Sequence, residues 1–215
     1  MGIQDRKLRD REALRRKIIE AAVQLFREQG YASVSMRKIA KRIEYSVGTL
    51  YLYYKDKDEL FLAVQAFAFA EAFNYMQPAL QEKEPLARLY QMGERYIRFG
   101  LQHPDLYQLM FIMENPMDAL EDEANWKPGI RLHELLMTIV HDCIAAGHFP
   151  GTDPETTSFT MWSLVHGMVS LQVSQRLYIY NGDHLDNCAL SSGSEEMIIH
   201  AYRHAMQLMT HPPTH

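Results

Sequence analysis

Apolar residues recur along this chain at the 3.6-residue interval of an α-helix, and the two-residue alternation of a strand is almost absent. In residues 10–29, Ala13, Leu14, Ile18, Ala21, Ala22, Leu25 and Phe26 form one stripe, and Gly30 just beyond it is a helix stop. Ser35 is placed to cap a short helix carrying Ile39, Ala40 and Ile43, and only three residues after Ile43 a second cap, Ser46, opens another short helix with Leu50 and Tyr54 at i and i+4. A connection this brief sets two helices at a steep angle, the geometry of a helix-turn-helix. Asp56 with Glu59 forms a capping-box pattern that starts a long helix through Phe61, Val64, Phe67 and Ala68 toward Met76, ending before Pro78.

Further helices are predicted over 85–102 and 104–114, divided at His103-Pro104 and ended by Asn115-Pro116, with an irregular polar stretch over 115–128. Another runs over 129–146, stopped by Gly147 and Pro150. Thr152-Asp153-Pro154-Glu155 joins a cap, a first-turn proline and early acidic residues, and predicts a helix reaching about residue 180. A loop over 181–193 precedes a last helix at 194–209, and the final six residues should fray. The pattern describes an all-α protein of about nine helices, with a three-helix head on a larger helical body.

Charge divides the chain the same way. Residues 1–57 hold 14 Lys and Arg against 7 Asp and Glu, whereas residues 58–215 hold 8 against 20, so the overall −5 conceals a head of +7 and a body of −12. Clustered cations displace counterions from a phosphate backbone, and an acidic body does not. A charged run such as residues 5–17 is also compatible with a simple solvated face; beside a helix-turn-helix the nucleic-acid reading gains. Gly48 and Thr49 lie in the first turn of the second short helix, where small side chains let backbone approach a phosphate or base edge.

Ile39-Ala40, Ser46, Gly48-Thr49-Leu50-Tyr51, the aromatic Tyr54, and Lys57 followed by Glu59-Leu60 resemble the TetR/AcrR family of bacterial transcriptional regulators, as does the preceding segment 19–31. The resemblance covers about residues 12–62. Glu44 and Tyr45 stand where that family has a Gly and a small aliphatic residue, Val47 where a polar residue is common, and Tyr53-Tyr54 in place of a His-Phe pair. A Glu at a turn position with positive φ is strained. The resemblance implies a double-stranded DNA operator as partner. Ser46, Val47, Gly48, Thr49 and Tyr53 then lie at the groove face, with Thr49 as the base contact, while Ser35, Arg37, Tyr51, Tyr54 and Lys57 hold phosphates.

In the body, 103–111 and the stretch from Trp162 through His166-Gly167 to Leu171 resemble the Trp-His-Gly type of ligand-binding and dimerisation domain. That resemblance implies domains at 1–57 and 58–215, and a homodimer through residues 153–180 and 194–209. It also implies a largely apolar small-molecule effector lined by Phe67, Tyr96, Phe99, Tyr107, Phe111, Met137, His141, Phe159, Trp162 and His166. Gly167 with Ser163 and Ser170 permits close helix approach; packing within one chain explains the same residues, and Met and aromatic side chains are ordinary core as well as cavity lining. His133 and His141 fit either a polar pocket wall or partly buried, hydrogen-bonded imidazoles.

Other chemistry is sparse. Glu196, His200 and His204 share a helix face but want a further metal ligand, so no metal or other cofactor is expected. Cys143 and Cys188 lack metal-like spacing and read as buried or bystander thiols. No phosphate-binding Gly-rich loop, nucleophile elbow or zinc-protease helix occurs, which speaks against an enzyme. Neither a signal segment nor a membrane span is seen, so a cytoplasmic location and no membrane partner are expected. The expected function is an effector-released dimeric repressor; a constitutive DNA-binding protein would instead have a body filled solid with side chains.

Overall fold

A computed structural model describes residues 2–113, 127–177 and 195–210, and these residues contain helices and no strand. The α-helices among them are α1 (Ile3–Ser33), α2 (Met36–Arg42), α3 (Val47–Tyr51), α4 (Lys57–Met76), α5 (Pro85–Gln102), α6 (Pro104–Phe111), α7 (Lys127–Ala145), α8 (Pro154–Val173) and α9 (Glu195–Thr210), with a 3-10 turn at Gln77–Gln81.

Helix starts follow the capping residues. Ser35 Oγ accepts from Lys38 N–H at 3.4 Å, Ser46 Oγ from Thr49 N–H at 3.0 Å, and Asp153 Oδ1 from Thr156 N–H at 2.8 Å with Pro154 in the first turn. Glu59 N–H donates to Asp56 Oδ1 at 2.8 Å, but the Glu59 carboxylate reaches back to Lys55 N–H at 2.5 Å, one residue before the expected partner of a capping box. Gly30 leaves helical geometry at φ 74°, ψ 157°, and three further residues continue beyond this kink.

α6 stops at Phe111, three residues before the expected 114, and α7 begins at Lys127 rather than 129; two boundaries differ more. α1 begins at Ile3, seven residues early, because its charged first turns have helix-favouring residues although no apolar stripe marks them. α8 stops at Val173: Ser174 hydrogen-bonds back to Ser170 O through its N–H (3.0 Å) and its Oγ (2.6 Å), and Gln175 enters the left-handed region at φ 56°. A serine at a helix end competes for the backbone more strongly than the apolar pattern toward 180 reveals. The expected loop at 181–193, the stretch 114–126, Cys188 and the chain end lie outside the described residues.

The chain divides into two compact units, Met1–Ala70 with Asp105–Gly129, and Glu71–Pro104 with Ile130–His215. In the first, Ile18, Ala22 and Phe26 of α1 bury against Ile39 and Ala40 of α2, Leu50 of α3, Leu60, Phe61 and Val64 of α4, and Leu109 of α6. Phe26, Tyr31 and Phe61 meet with ring centroids 4.8–5.5 Å apart. Buried Gln65 donates to Leu109 O at 3.2 Å. Packing therefore joins the early turns of α4 and α6 to the residues before 57.

In the second unit α5 packs against α8 and α9. Tyr202 of α9, fully enclosed, donates to Leu89 O at 3.1 Å, and burial raises its phenol pKa, so it stays a protonated donor. Arg203 pairs both carboxylate oxygens of Glu94 at 2.6 and 3.0 Å. Arg88 joins α5 to α7 through Asp142 at 2.6 Å. Cys143 is buried and free, its thiol pushed up to about 11 by burial, with Asp142 adding to the shift, so it is a poor nucleophile.

The Tyr202 ring lies directly on Gly93: a β-carbon there would stand 2.1 Å from Tyr202 Oη and 2.3 Å from its ring carbon. Gly93→Ala should therefore destabilise the protein by about 1–3 kcal/mol, as overpacking does. An unchanged urea midpoint would show that Tyr202 is free to move.

Candidate nucleic-acid interface

α2 and α3 are joined by Ile43 to Ser46, and this turn depends on one strained residue. Glu44 adopts φ 62°, the left-handed region anticipated from its place in the motif. Its N–H donates to Lys41 O at 3.2 Å, and Tyr45 N–H follows to Ala40 O at 3.0 Å, the pairing of a helix terminus that glycine normally closes.

α3 is only five residues long, with Leu50 as its buried anchor. Gly48 is exposed, and Thr49 is half-buried with Oγ1 2.9 Å from Ser46 Oγ. That hydrogen bond fixes the Thr49 rotamer. A hydroxyl retains capacity for a further hydrogen bond, and the Thr49 methyl suits a thymine methyl. A β-carbon on Gly48 would meet nothing closer than Ser46 Oγ at 3.6 Å, an ordinary contact. The fold therefore does not require glycine at 48.

The remaining candidates separate by burial. Ser35, Arg37, Ser46 and Tyr51 are exposed; Val47 and Tyr53 are half-buried against the core of the first unit. Tyr54 corrects the expectation of a phosphate contact: it is 3 % exposed, and its hydroxyl accepts from Arg15 Nε at 3.3 Å. Burial raises the Tyr54 phenol pKa, with Arg15 opposing, so the side chain is a protonated core residue. Lys57 keeps part of its surface, but its Nζ donates to Tyr31 O at 3.0 Å and lies 4.0 Å from the Tyr31 ring centroid, so the ammonium already has internal partners. Tyr31 itself donates to Asp58, and its pKa is raised, first by burial and then by that carboxylate.

Ion pairing sorts the cations of α2 in a way that composition does not. Arg42 pairs with Glu28 at 2.6 Å, and Lys38 Nζ is held by Gln29 Oε1 at 2.7 Å and Ser33 O at 2.8 Å. Arg37 and Lys41 are exposed and form no ion pair among the described residues. Lys41 was missed by motif reading; only its position one turn after Arg37 signals it.

The effector-lining candidates do not assemble as expected. Phe67, Tyr107 and Phe111 belong to the first unit, with Tyr107 and Phe111 rings 5.2 Å apart. In the second unit, Tyr96 Oη and His166 Nδ1 lie 3.1 Å apart, and Phe99 packs on Tyr75 and His103. Burial lowers the His166 pKa, which favours neutral imidazole. Met137 is half-buried. His141 is exposed, as is His133, and on α8 Phe159 is 66 % exposed while the Trp162 ring stands 5.4 Å from that of His166, so His141 and Phe159 line no interior among the described residues. Helical periodicity told that they share faces, not which face is covered. Among the described residues no cluster of three His, Cys, Asp or Glu could hold a metal, and no helix is long and apolar enough to cross a membrane.

A capped helix-turn-helix in one unit, in a chain that carries a second, separate helical unit, defines a DNA-binding transcriptional regulator. Residues 18–64 match the family described as bacterial regulatory proteins, tetR family, and residues 89–189 match the tetracyclin repressor-like C-terminal domain. The chain belongs to the TetR family. It is 28 % identical over 148 residues to the nucleoid occlusion factor SlmA of Marinobacter nauticus (67 % of this chain, 73 % of the relative). It is 26 % identical over 156 residues to the HTH-type transcriptional regulator YhgD of Bacillus subtilis (71 % and 80 %). Its fold is similar to that of the fatty acid degradation regulator FadR of Bacillus halodurans, with a TM-score of 0.71, 17 % identity, and coverage of 94 % and 96 % of the two chains.

Because the space beside Gly48 is open, Gly48→Ala should leave the thermal midpoint unchanged or raise it slightly, by the helix preference for Ala of about 1 kcal/mol. If the Gly48 backbone faces DNA, the same change weakens duplex binding at least tenfold; unaltered binding would remove Gly48 from the interface.

Proposed function

We propose that the protein is a homodimeric repressor whose two helix-turn-helix motifs enter successive major grooves of a near-palindromic operator, and that a largely apolar small molecule releases it. DNA binding is assigned to residues 1–57 and effector binding with dimerisation to 58–215, in the cytoplasm. The observation that carries the reading is the α2–turn–α3 geometry, which presents Ser46, Gly48 and part of Thr49 at the surface on a motif whose exposed cations Arg37 and Lys41 form no ion pair among the described residues. Thr49 reads a base. Arg37, Lys41, Ser35 and Tyr51 hold phosphates and so set register without reading sequence. Val47 and Tyr53 support α3 and border the groove.

Dimerisation is assigned to α8 and α9. On α8, Phe159, Ser163, Gly167, Ser170 and Leu171 fall within one sector of about 120°, and Phe159 and Leu171 are 66 % and 47 % exposed. An apolar stripe with a small residue at its centre suits close packing on a second copy. α9 adds exposed Leu208 and the small residues Ala201 and Ala205. The effector site is assigned to the second unit near Tyr96, Phe99, Met137 and His166, where a neutral His–Tyr pair is the polar element. Effector and operator oppose each other by linkage: whatever factor the effector takes from operator affinity, the operator takes from effector affinity.

Two measurements test this reading. On a duplex enriched by the full-length protein from a random pool, Thr49→Val should cost about 1–3 kcal/mol of discrimination at one position per half-site, whereas Arg37→Gln should weaken all duplexes alike and flatten the salt slope by about one unit per head. Equal losses on all duplexes for Thr49→Val would remove it from base reading. Phe159→Arg with Leu171→Arg should convert the dimer to monomer in sedimentation; a retained dimer would place the interface elsewhere.

A further inference from the structure

α1 overshoots the domain it packs on. Every residue from 4 to 13 is exposed, and the first buried residue of the helix is Ile18. The overhang is charged. Arg6, Lys7, Arg9 and Arg11 share the stretch with Asp5, Asp10 and Glu12, and Arg6, Lys7 and Arg11 form no ion pair among the described residues. A helix this exposed has no packing reason to continue, since isolated helical turns are marginal in water.

Helical geometry gives the overhang a direction. At 100° per residue, Gln4, Lys7, Leu8, Arg11 and Arg15 occupy one sector of about 100°, the same sector that carries buried Ile18, Ala22 and Leu25 further along. The stripe that binds α1 to α2 and α3 is therefore prolonged beyond them as a cationic one. Its root is anchored on the residues that follow α3. The Arg11 guanidinium stands 5.9 Å from the Tyr53 ring centroid, and Arg15 stands 5.9 Å from the Tyr54 ring while hydrogen-bonding its hydroxyl. Lys7 lies one turn beyond Arg11 with Leu8, 62 % exposed, beside it.

We infer that this overhang is a second DNA-contacting element, in which Lys7 and Arg11, with Gln4 about one turn further out on the same sector, grip the phosphate backbone flanking each operator half-site. The inference rests on the proposed groove assignment of α3. From Arg11 to Gln4 the helix rises about 10 Å, enough to extend the footprint by about three base pairs at each end. Phosphate contacts of this kind carry no sequence information; they raise affinity, steepen salt dependence and favour operators with intact duplex on both sides. Duplex DNA is the occupant that the charge favours, because the overhang sets Arg6, Lys7, Arg9 and Arg11 against Asp5, Asp10 and Glu12 and is rooted through Arg11 and Arg15 on Tyr53 and Tyr54, which directly follow α3.

The test uses the full-length protein and the pool-enriched duplex in two forms, with two or with eight base pairs flanking the site at each end. Wild type should bind the long-flank form more tightly, with a log K against log salt slope steeper by about 3–4, from two cations on each of two heads. Lys7→Gln with Arg11→Gln should bind both forms alike, at the wild-type short-flank slope. Lys7→Glu, at an exposed position with no ion pair among the described residues, should remove at least half of the slope difference with no change in thermal midpoint. A wild type indifferent to flank length, or a double variant that keeps the difference, overturns the inference while specific short-flank binding upholds the groove assignment. No preference for the enriched site over a scrambled duplex overturns that assignment itself.

Discussion

Everything in the first unit depends on burying two helices that cannot stand alone. α2 has seven residues and α3 five, far below the length at which a helix is stable in water, so their nucleation must be offset by burial. α1 supplies it. Ile18, Ala22 and Phe26 form the surface on which Ile39, Ala40 and Leu50 close, each large side chain contributing about 1.5–3 kcal/mol. α3 has Leu50 as its single fully buried residue and Ser46 as its cap. Those two interactions hold Gly48 and Thr49 at the surface, and the strained Glu44 turn sets the angle at which they are held.

Electrostatics follows this packing rather than preceding it. The +7 of residues 1–57 overstates what is available to a partner, because Arg42, Lys38 and Lys57 spend their charges on Glu28, on α1 oxygens and on Tyr31. Solvent-exposed pairs such as Arg42–Glu28 add little stability. Their effect is to leave Arg37, Lys41, Lys55 and the α1 overhang among the cations that face outward.

Much of this was legible in the sequence where the signal was local. Ser35, Ser46, Asp153 and Gly30 act within four residues of themselves, so caps and stops fell where the residue types placed them, and the positive φ at Glu44 followed from its position in the motif. Periodicity located faces but could not tell what covers them. Tyr54 was grouped with surface aromatics and is core, whereas Phe159 was grouped with interior ones and is 66 % exposed. The early start of α1 left no apolar trace, since a charged helix of good formers has none, and the end of α8 turned on one serine hydroxyl against an apolar pattern that runs on. The division of the pocket candidates between two units is a tertiary fact, invisible to spacing.

The central claim is that the exposed start of α3 lies in the major groove. Dimethyl sulfate methylates guanine N7, which lies in that groove, so protection of an enriched duplex by the full-length protein reads the claim directly. The account predicts two protected clusters about one helical turn apart, related by a two-fold axis, that disappear with Thr49→Arg. Specific binding that leaves every N7 reactive would contradict it.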